Sequence, residues 1–277
     1  MRNNQERTRQ QQAAAQPSPS VVAAAPMTYA VPTEFVELPS RGMFYPEGHP
    51  LQGQETVEIK YMTAKDEDIL SSQALLKKGI AIDRLVQNLM VLDVDPDSLL
   101  IADKSAIMIA ARISSYGQAY KSNVRCENCG ETTEYNFDLK KTNLNEDVFD
   151  EVVLSQKGIT FNDEAKVLEV TLPRSEVIVG IQFIDGLGER VINDGIDGEN
   201  SITTLISCVI ASVDGRYDKA SINNFIDIMP AADSRFIRGI YADLTPSIDL
   251  KQEFVCKECD HRVDMEVPLT AEFFWPG

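Results

Sequence analysis

Two Cys-x-x-Cys pairs constrain this chain more than any other feature of its sequence. The first pair, Cys126 and Cys129, stands in VRCENCGETTEYNF, and the second, Cys256 and Cys259, stands in FVCKECDHRVDMEV. Each pair has strand-like residues on both sides and a small or turn-forming residue directly after its second cysteine. Such a turn directs two thiolates to one point, and two such turns supply the four sulfurs of a tetrahedral zinc site. The sequence therefore predicts one structural zinc per chain, bound by all four cysteines.

Other interpretations of the cysteines are open at this point. The two pairs lie more than a hundred residues apart, whereas compact zinc ribbons separate theirs by about 15 to 20 residues. Redox chemistry, or thiols without a metal, would fit the same residues. His261 could replace one thiolate, although a surface position is expected for it. Cys208 is predicted to be a small buried side chain. Four protein ligands leave no position for water, so the expected role of the metal is structural and not catalytic.

The charge balance limits the class of partner. The formal net charge is -17, from 43 acidic and 26 basic residues, which disfavours a protein that neutralises nucleic-acid phosphates. No segment approaches the roughly 18 apolar residues that a membrane helix requires, and the first residues lack the apolar stretch of a secretory signal. We therefore expect a cytoplasmic protein that contacts other proteins, with no nucleic acid and no membrane as partners.

The residue pattern divides the chain into four segments. Residues 1–32 are rich in Gln, Ala, Ser and Pro and are predicted to be a disordered tail. Residues 33–62 are predicted to be an extended arm and a first strand, and residues 63–117 a helical unit that begins after the helix cap Thr63. Residues 118–277 mix strands and helices around the cysteines. The predicted fold class is α+β, with a small helical unit plus mixed or antiparallel strands closed by a zinc-ribbon-like pair of cysteine knuckles.

Two groups of apolar side chains lie in segments too irregular to bury them locally. The candidates for contact with a partner are Phe35, Met43, Phe44 and Tyr45 in the arm and Phe273, Phe274 and Trp275 at the C-terminal end. Left in water, such side chains form apolar patches of the kind that mark contact sites. The alternative is that the arm packs over the helical unit and that the last aromatic residues pack beside the second cysteine pair.

Several motifs are incomplete. DVDPDSLLIADK begins like a calcium-binding loop but has Ser98 where glycine is required and Lys104 where the bidentate glutamate belongs. DGLGERV lacks the third glycine of a dinucleotide-binding fingerprint and is predicted to be a hairpin-type turn. The apolar segment SITTLISCVIASV is predicted to be a helix. Because the sequence offers no recognisable catalytic constellation, we expect no enzymatic activity.

Four stretches carry a family resemblance in the same order along the chain: ELPSRGMFYPEG, VEIKYMTAKDEDIL, VRCENCG and CKECDHRVDMEVPLTAEFFWP. Through them, roughly residues 34–277 resemble the baseplate hub assembly family of T-even-type contractile-tailed bacteriophages. The resemblance implies a viral protein without an active site that works in the host cytoplasm. It also implies contacts with other baseplate or tail hub proteins, with a homo-oligomer within the baseplate as an option. Permanent residence in the tail baseplate and a role in assembly alone are both compatible with it.

Two further functions compete with this one. A zinc-ribbon regulatory or nucleic-acid-binding protein would use the same cysteines, but the lysines and arginines around them alternate with carboxylates and form no basic stripe. A redox enzyme or metalloenzyme would require a general base that the sequence does not offer.

Overall fold

The computed structural model describes residues 30–141, 143–144, 149–196, 201–268 and 271–274. The chain divides after Val31, and the unit that carries the helices and strands begins at Pro32. Residues 1–29 of the predicted tail lie outside the described residues. The predicted division into tail, arm, helical unit and knuckle region stays a prediction.

Helices and strands alternate irregularly along the chain. The helices are α1 (Ala64–Ser71), α2 (Gln73–Lys77), α3 (Ala81–Leu89), α4 (Ile101–Tyr116), α5 (Glu151–Gln156), α6 (Gly186–Ile196), α7 (Ser201–Val209), α8 (Lys219–Ile228) and α9 (Ala231–Leu244). The strands are β1 (Thr33–Glu37), β2 (Thr56–Lys60), β3 (Ala119–Arg125), β4 (Thr132–Asp138), β5 (Asn143–Leu144), β6 (Ile159–Asn162), β7 (Val167–Thr171), β8 (Ile178–Ile181), β9 (Ile210–Val213), β10 (Ile248–Asp249), β11 (Lys251–Val255) and β12 (Arg262–Glu266). Short 3-10 turns span Pro96–Ser98 and Ala271–Phe274.

Every strand pair among the described residues is antiparallel. The largest sheet has the order β6-β7-β8-β9, and the other strands form two-stranded ladders, β1 with β2, β3 with β4, β5 with β10, and β11 with β12. The predicted α+β class is confirmed, with antiparallel sheets. None of the helices in the described part of the chain is long and apolar enough to cross a membrane.

The first helix begins where the sequence predicts. Thr63 and Asp66 form a capping box, in which the Thr63 N–H and hydroxyl each lie 2.7 Å from Asp66 Oδ2. This satisfies backbone donors that the first turn of a helix otherwise leaves without partners. The buried Asp66 carboxylate also accepts from Asn88 in α3. The cap of α1 therefore also fixes the position of α3.

The arm packs on the helical unit of its own chain. Asp103, at the start of α4, is fully buried and accepts hydrogen bonds from the Ser40 N–H at 2.9 Å, the Ser40 hydroxyl at 2.5 Å and the Tyr45 hydroxyl at 2.8 Å. The Tyr45 hydroxyl in turn accepts from the Leu100 N–H at 3.2 Å. Burial raises the pKa of Asp103, while its three donors stabilise the carboxylate and limit that rise. The arm is therefore tied to α4 by a buried polar cluster.

This packing corrects the prediction that Phe44 and Tyr45 contact a partner. Phe44 and Tyr45 are buried, and Met43 is half-buried against the same core. The ring centroid of Phe44 lies 4.6 Å from that of Phe183 and 4.8 Å from that of Phe149. Irregular backbone did not prevent burial, because helices and sheet from later in the chain cover the arm.

Two further predictions of local structure are wrong. The predicted turn DGLGERV is instead the start of α6. A Cβ on Gly186 would lie 2.9 Å from the Cα of Asp97, so this glycine permits close packing of α6 against the 3-10 turn. The predicted helix SITTLISCVIASV is helical only to Val209, and Ile210–Val213 then form β9, which pairs with β8. Sheet pairing overrides the helical pattern there.

We expect Tyr45→Phe to lower the free energy of unfolding by about 2 kcal/mol, because the Leu100 N–H and the Asp103 carboxylate each lose one hydrogen bond. Tyr217→Phe, at an exposed tyrosine, is the matched control and should change it by less than about 0.5 kcal/mol. Chemical denaturation measures both. Equal stability of the two variants would contradict the role given to the arm cluster.

Candidate metal centre

Two hairpins of identical local design carry the cysteines. In the β3/β4 hairpin, the Cys126 N–H donates to the Glu131 carbonyl at 2.8 Å, and the Gly130 N–H donates to the Cys126 carbonyl at 2.9 Å. In the β11/β12 hairpin, the Cys256 N–H donates to the His261 carbonyl at 2.9 Å, and the Asp260 N–H donates to the Cys256 carbonyl at 3.0 Å.

Directly after its second cysteine, each of these turns has a residue whose backbone lies in the left-handed region, with positive φ. Gly130 has φ +78° and Asp260 has φ +55°. Glycine adopts this conformation without steric cost, and aspartate is one of the residues that tolerate it. The turn-forming residues that follow the two cysteine pairs in the sequence therefore occupy the positions with positive φ.

The four thiols meet at one point. The Sγ atoms of Cys126, Cys129, Cys256 and Cys259 all lie within 4.8 Å of one another. Cys126 Sγ is 3.7 Å from Cys259 Sγ, and Cys129 Sγ is 3.7 Å from Cys256 Sγ, so each of these distances joins the two hairpins. A tetrahedral zinc with bonds of about 2.3 Å separates its sulfurs by about 3.8 Å, whereas a disulfide requires about 2.05 Å. The donor set and its spacing fit a four-thiolate metal site.

The electrostatics of the cluster also favour a cation. The Asn128 amide, 3.6 Å from Cys259 Sγ, helps to lower the pKa of Cys259 to about 6. At Cys129 the Glu131 backbone N–H stabilises the thiolate, but desolvation and the neighbouring thiols outweigh it and raise the pKa to about 12. A thiolate at Cys259 thus disfavours a second thiolate at Cys129. A divalent cation would allow all four to ionise together.

The other candidate ligands are placed elsewhere. Among the described residues, only these four cysteines form a group of three or more Cys, His, Asp or Glu side chains that could hold a metal. His261 lies outside that group and contributes its backbone carbonyl to the turn. Cys208 is half-buried in α7, where its thiol approaches the Gly188 carbonyl at 3.9 Å and burial raises its pKa.

Contacts between the two hairpins hold the cysteines together. The ring of Tyr135 in β4 lies 5.1 Å from that of Phe254 in β11, and its hydroxyl donates to the Glu253 carbonyl at 2.9 Å. The side-chain amide of Gln252 forms two hydrogen bonds with the backbone of Asp138. It donates to the carbonyl at 2.8 Å and accepts from the N–H at 3.1 Å. Contacts other than those of the cysteines therefore also hold the two hairpins against each other.

The C-terminal aromatics pack against α4 and the start of β3. Phe273 and Phe274 are each 3% exposed, and the Phe273 ring lies 5.4 Å from that of Tyr120 in β3. Arg112 in α4, which is 1% exposed, donates through Nε to the Phe273 carbonyl at 2.5 Å and through Nη1 to the Gly117 carbonyl at 2.9 Å. Burial lowers the pKa of Arg112. A buried guanidinium that bonds backbone carbonyls thus anchors this end of the described chain.

This arrangement corrects the prediction that Phe273 and Phe274 contact a partner, because both side chains are core residues. Trp275 lies outside the described residues, and its predicted partner contact stays a prediction. Phe35, in contrast, is 72% exposed on β1. Of the aromatic candidates that the structure describes, Phe35 alone is on the surface.

Comparison with known proteins gives one result that bears on function. A family model described as "T4 bacteriophage base plate protein" matches residues 33–275, almost the whole unit that the structure describes. No curated protein and no solved structure matches the chain.

We expect Phe274→Ala to lower the free energy of unfolding by about 3 to 5 kcal/mol, as is typical of a buried phenylalanine. Phe35→Ala is the matched control, and a change of no more than about 0.5 kcal/mol is expected at this exposed position. Thermal or chemical unfolding of the isolated protein gives both values. A Phe274→Ala protein as stable as the parent would mean that this side chain does not belong to the core.

Proposed function

The chain belongs to the T4 bacteriophage base plate protein family, and from this premise we propose that it is a structural or assembly protein of the central hub of a phage tail baseplate. The observation that carries the proposal is the family match over residues 33–275, which includes both cysteine pairs and the whole arm. The function therefore applies to the folded unit as a whole.

Protein–protein contacts are the proposed mode of action. Large apolar side chains are exposed at several separate places in the described chain: Phe35, Val152, Leu187, Val191, Tyr217 and Ile228. Leu187 and Val191 lie four residues apart in α6 and therefore on one side of that helix. Apolar patches rimmed by charged residues are typical of surfaces that other proteins cover. The proposed partners are neighbouring baseplate or tail hub proteins and further copies of this chain.

Charges near the cysteines support protein partners over nucleic acid. Lys121 lies 3.5 Å from Glu134, and Arg262 lies 3.3 Å from Glu253. A phosphate-binding surface would instead present such cations without neighbouring carboxylates. We propose that the chain binds neither nucleic acid nor a membrane, and that it works in the host cytoplasm during assembly, either as a lasting part of the tail baseplate or as an assembly factor.

The proposed role of the cysteine cluster is structural. One zinc ion would be held by Cys126, Cys129, Cys256 and Cys259 and would cross-link the two hairpins. All four ligands come from the protein, which leaves no open coordination position for catalysis. This supports a baseplate protein without enzymatic activity, in which the metal stabilises the fold.

The zinc proposal predicts one bound zinc per purified chain. Cys256→Ser should lose the metal and lower the free energy of unfolding by about 3 to 5 kcal/mol, because metal binding is coupled to folding. Cys208→Ala is the control and should keep the metal at a cost of about 1 kcal/mol. Elemental analysis and chelator-dependent melting measure these effects. A wild-type protein that takes up no zinc on reconstitution and melts identically with chelator refutes a structural metal.

The baseplate proposal is tested in infected cells. A phage whose gene for this chain is interrupted should fail to form complete baseplates, and expression of the chain from a plasmid should restore them. Electron microscopy of the lysate measures baseplate formation, and affinity purification of a tagged chain should recover hub proteins. Normal yields of infectious particles without the chain would rule out an essential role in the hub.

A further inference from the structure

We propose that the outer edge of β1 is a pairing site for β1 of a second copy of this chain, so that two β1/β2 hairpins join into one continuous four-stranded sheet. The proposal rests on the register, exposure and charge of the residues in and around β1. It does not depend on the baseplate role.

The register identifies which backbone groups face away from β2. The Tyr61 N–H donates to the Pro32 carbonyl at 2.9 Å, and the Leu38 N–H donates to the Glu55 carbonyl at 2.8 Å. Hydrogen-bonded and non-hydrogen-bonded positions alternate in an antiparallel pair, so residues 34 and 36 also point toward β2. The N–H and C=O groups of Thr33, Phe35 and Glu37 consequently point to the opposite side.

The two edges of this hairpin differ. The outer edge of β2 is covered, because the Glu58 carbonyl accepts from the Val91 N–H at 3.2 Å and Ile59 bridges to Met90. In the described part of the chain β1 has no strand neighbour other than β2, and no backbone group bonds Thr33, Phe35 or Glu37 on the outer side. Open edges of this kind are templates for pairing with another strand.

A proline marks one end of this edge. Pro39 follows β1 in the outward register and cannot donate a backbone hydrogen bond. β1 itself has five residues, with Phe35 at the centre. Phe35 is also the most exposed aromatic residue of the described chain.

A second copy fits this edge without a charge clash. An antiparallel pair of β1 strands with a two-fold axis at Phe35 places Phe35 opposite Phe35, Thr33 opposite Glu37, and Glu34 opposite Val36. No carboxylate lies directly opposite another carboxylate, and the central aromatic pair is a favourable cross-strand pair. The outward groups of the two strands can form about six hydrogen bonds. The sequence Thr-Glu-Phe-Val-Glu is thus complementary to its own antiparallel copy.

The size of the interface and the net charge of the chain determine how tightly two copies are expected to associate. A five-residue edge buries less than the roughly 1,000 Å² of a stable interface, so the pairing should be weak and detectable at high protein concentration. Two copies with a net charge of -17 each repel one another at low ionic strength. Screening shortens the range of that repulsion to about 8 Å at physiological salt. Association should therefore strengthen when salt is added.

The first test is sedimentation of the full-length protein over micromolar to millimolar concentration. We expect a monomer–dimer equilibrium that Phe35→Pro weakens by at least about tenfold. The substitution removes an outward N–H and no bond to β2, so the hairpin keeps its own hydrogen bonds. Phe35→Val is the control: it keeps the N–H and should weaken the dimer less. A protein that stays monomeric throughout, or a dimer unaffected by Phe35→Pro, overturns the proposal.

The second test is disulfide trapping, which does not require Phe35→Pro to fold. In the proposed register the two Cα atoms at position 35 lie about 5.5 Å apart, within the range of a disulfide. Phe35→Cys should therefore cross-link two chains through residue 35, as identified by mass spectrometry. Thr33→Cys is the control, because the two copies of residue 33 lie about 14 Å apart. Equal cross-linking through residues 33 and 35 contradicts the register.

These experiments separate the strand-pairing proposal from the proposed baseplate function. A dimer with the expected cross-link in a protein that no hub requires would support the pairing alone. A monomer whose Phe35→Pro variant fails to enter baseplates would mean that the edge receives a strand from another protein, which overturns the pairing of two copies.

Discussion

The contact between the β3/β4 and β11/β12 hairpins is the interaction on which the rest of the fold depends. It joins residues more than 100 positions apart, as the 2.9 Å bond from the Tyr135 hydroxyl to Glu253 illustrates. Through this contact the two cysteine pairs face each other, and the segment that follows β12 reaches α4, where Arg112 binds it. The candidate metal centre therefore lies where these two hairpins pack against each other.

Buried charged side chains hold the irregular segments in place. Asp103 binds the arm, and Arg112 binds the residues that follow the last strand. Asp233 in α9 is fully buried and accepts from the N–H groups of Arg174 and Ser175, both at 2.9 Å, which fixes the turn between β7 and β8. In each case several hydrogen bonds, to backbone groups or to hydroxyls, offset the cost of burying a charge. The core thus includes segments that lack regular structure of their own.

Local features of the fold were predictable from sequence, and long-range ones were only partly so. The helix cap at Thr63 follows from a short-range pattern and is confirmed. The predicted turn at Gly186 is wrong because this glycine allows α6 to pack closely against a 3-10 turn that is distant in the sequence. Such a contact leaves no signal in the residues next to Gly186. Arg112 was missed for the same reason, since an arginine in a helix is normally read as a surface residue. The meeting of the cysteine pairs could be predicted because cysteine spacing encodes a shared ligand.

The separation of the two hairpins along the chain also determines the order in which the protein can fold. Each hairpin can form within about 1 to 10 μs from neighbouring residues. Their meeting closes a loop whose ends, Cys126 and Cys259, are 133 positions apart, and the associated loss of chain entropy must precede the contacts that compensate for it. Until that closure Tyr135 and Phe254, whose ring centroids lie 5.1 Å apart in the fold, cannot shield each other from solvent. The entropy cost of closing the loop therefore slows the step that also assembles the cysteine cluster.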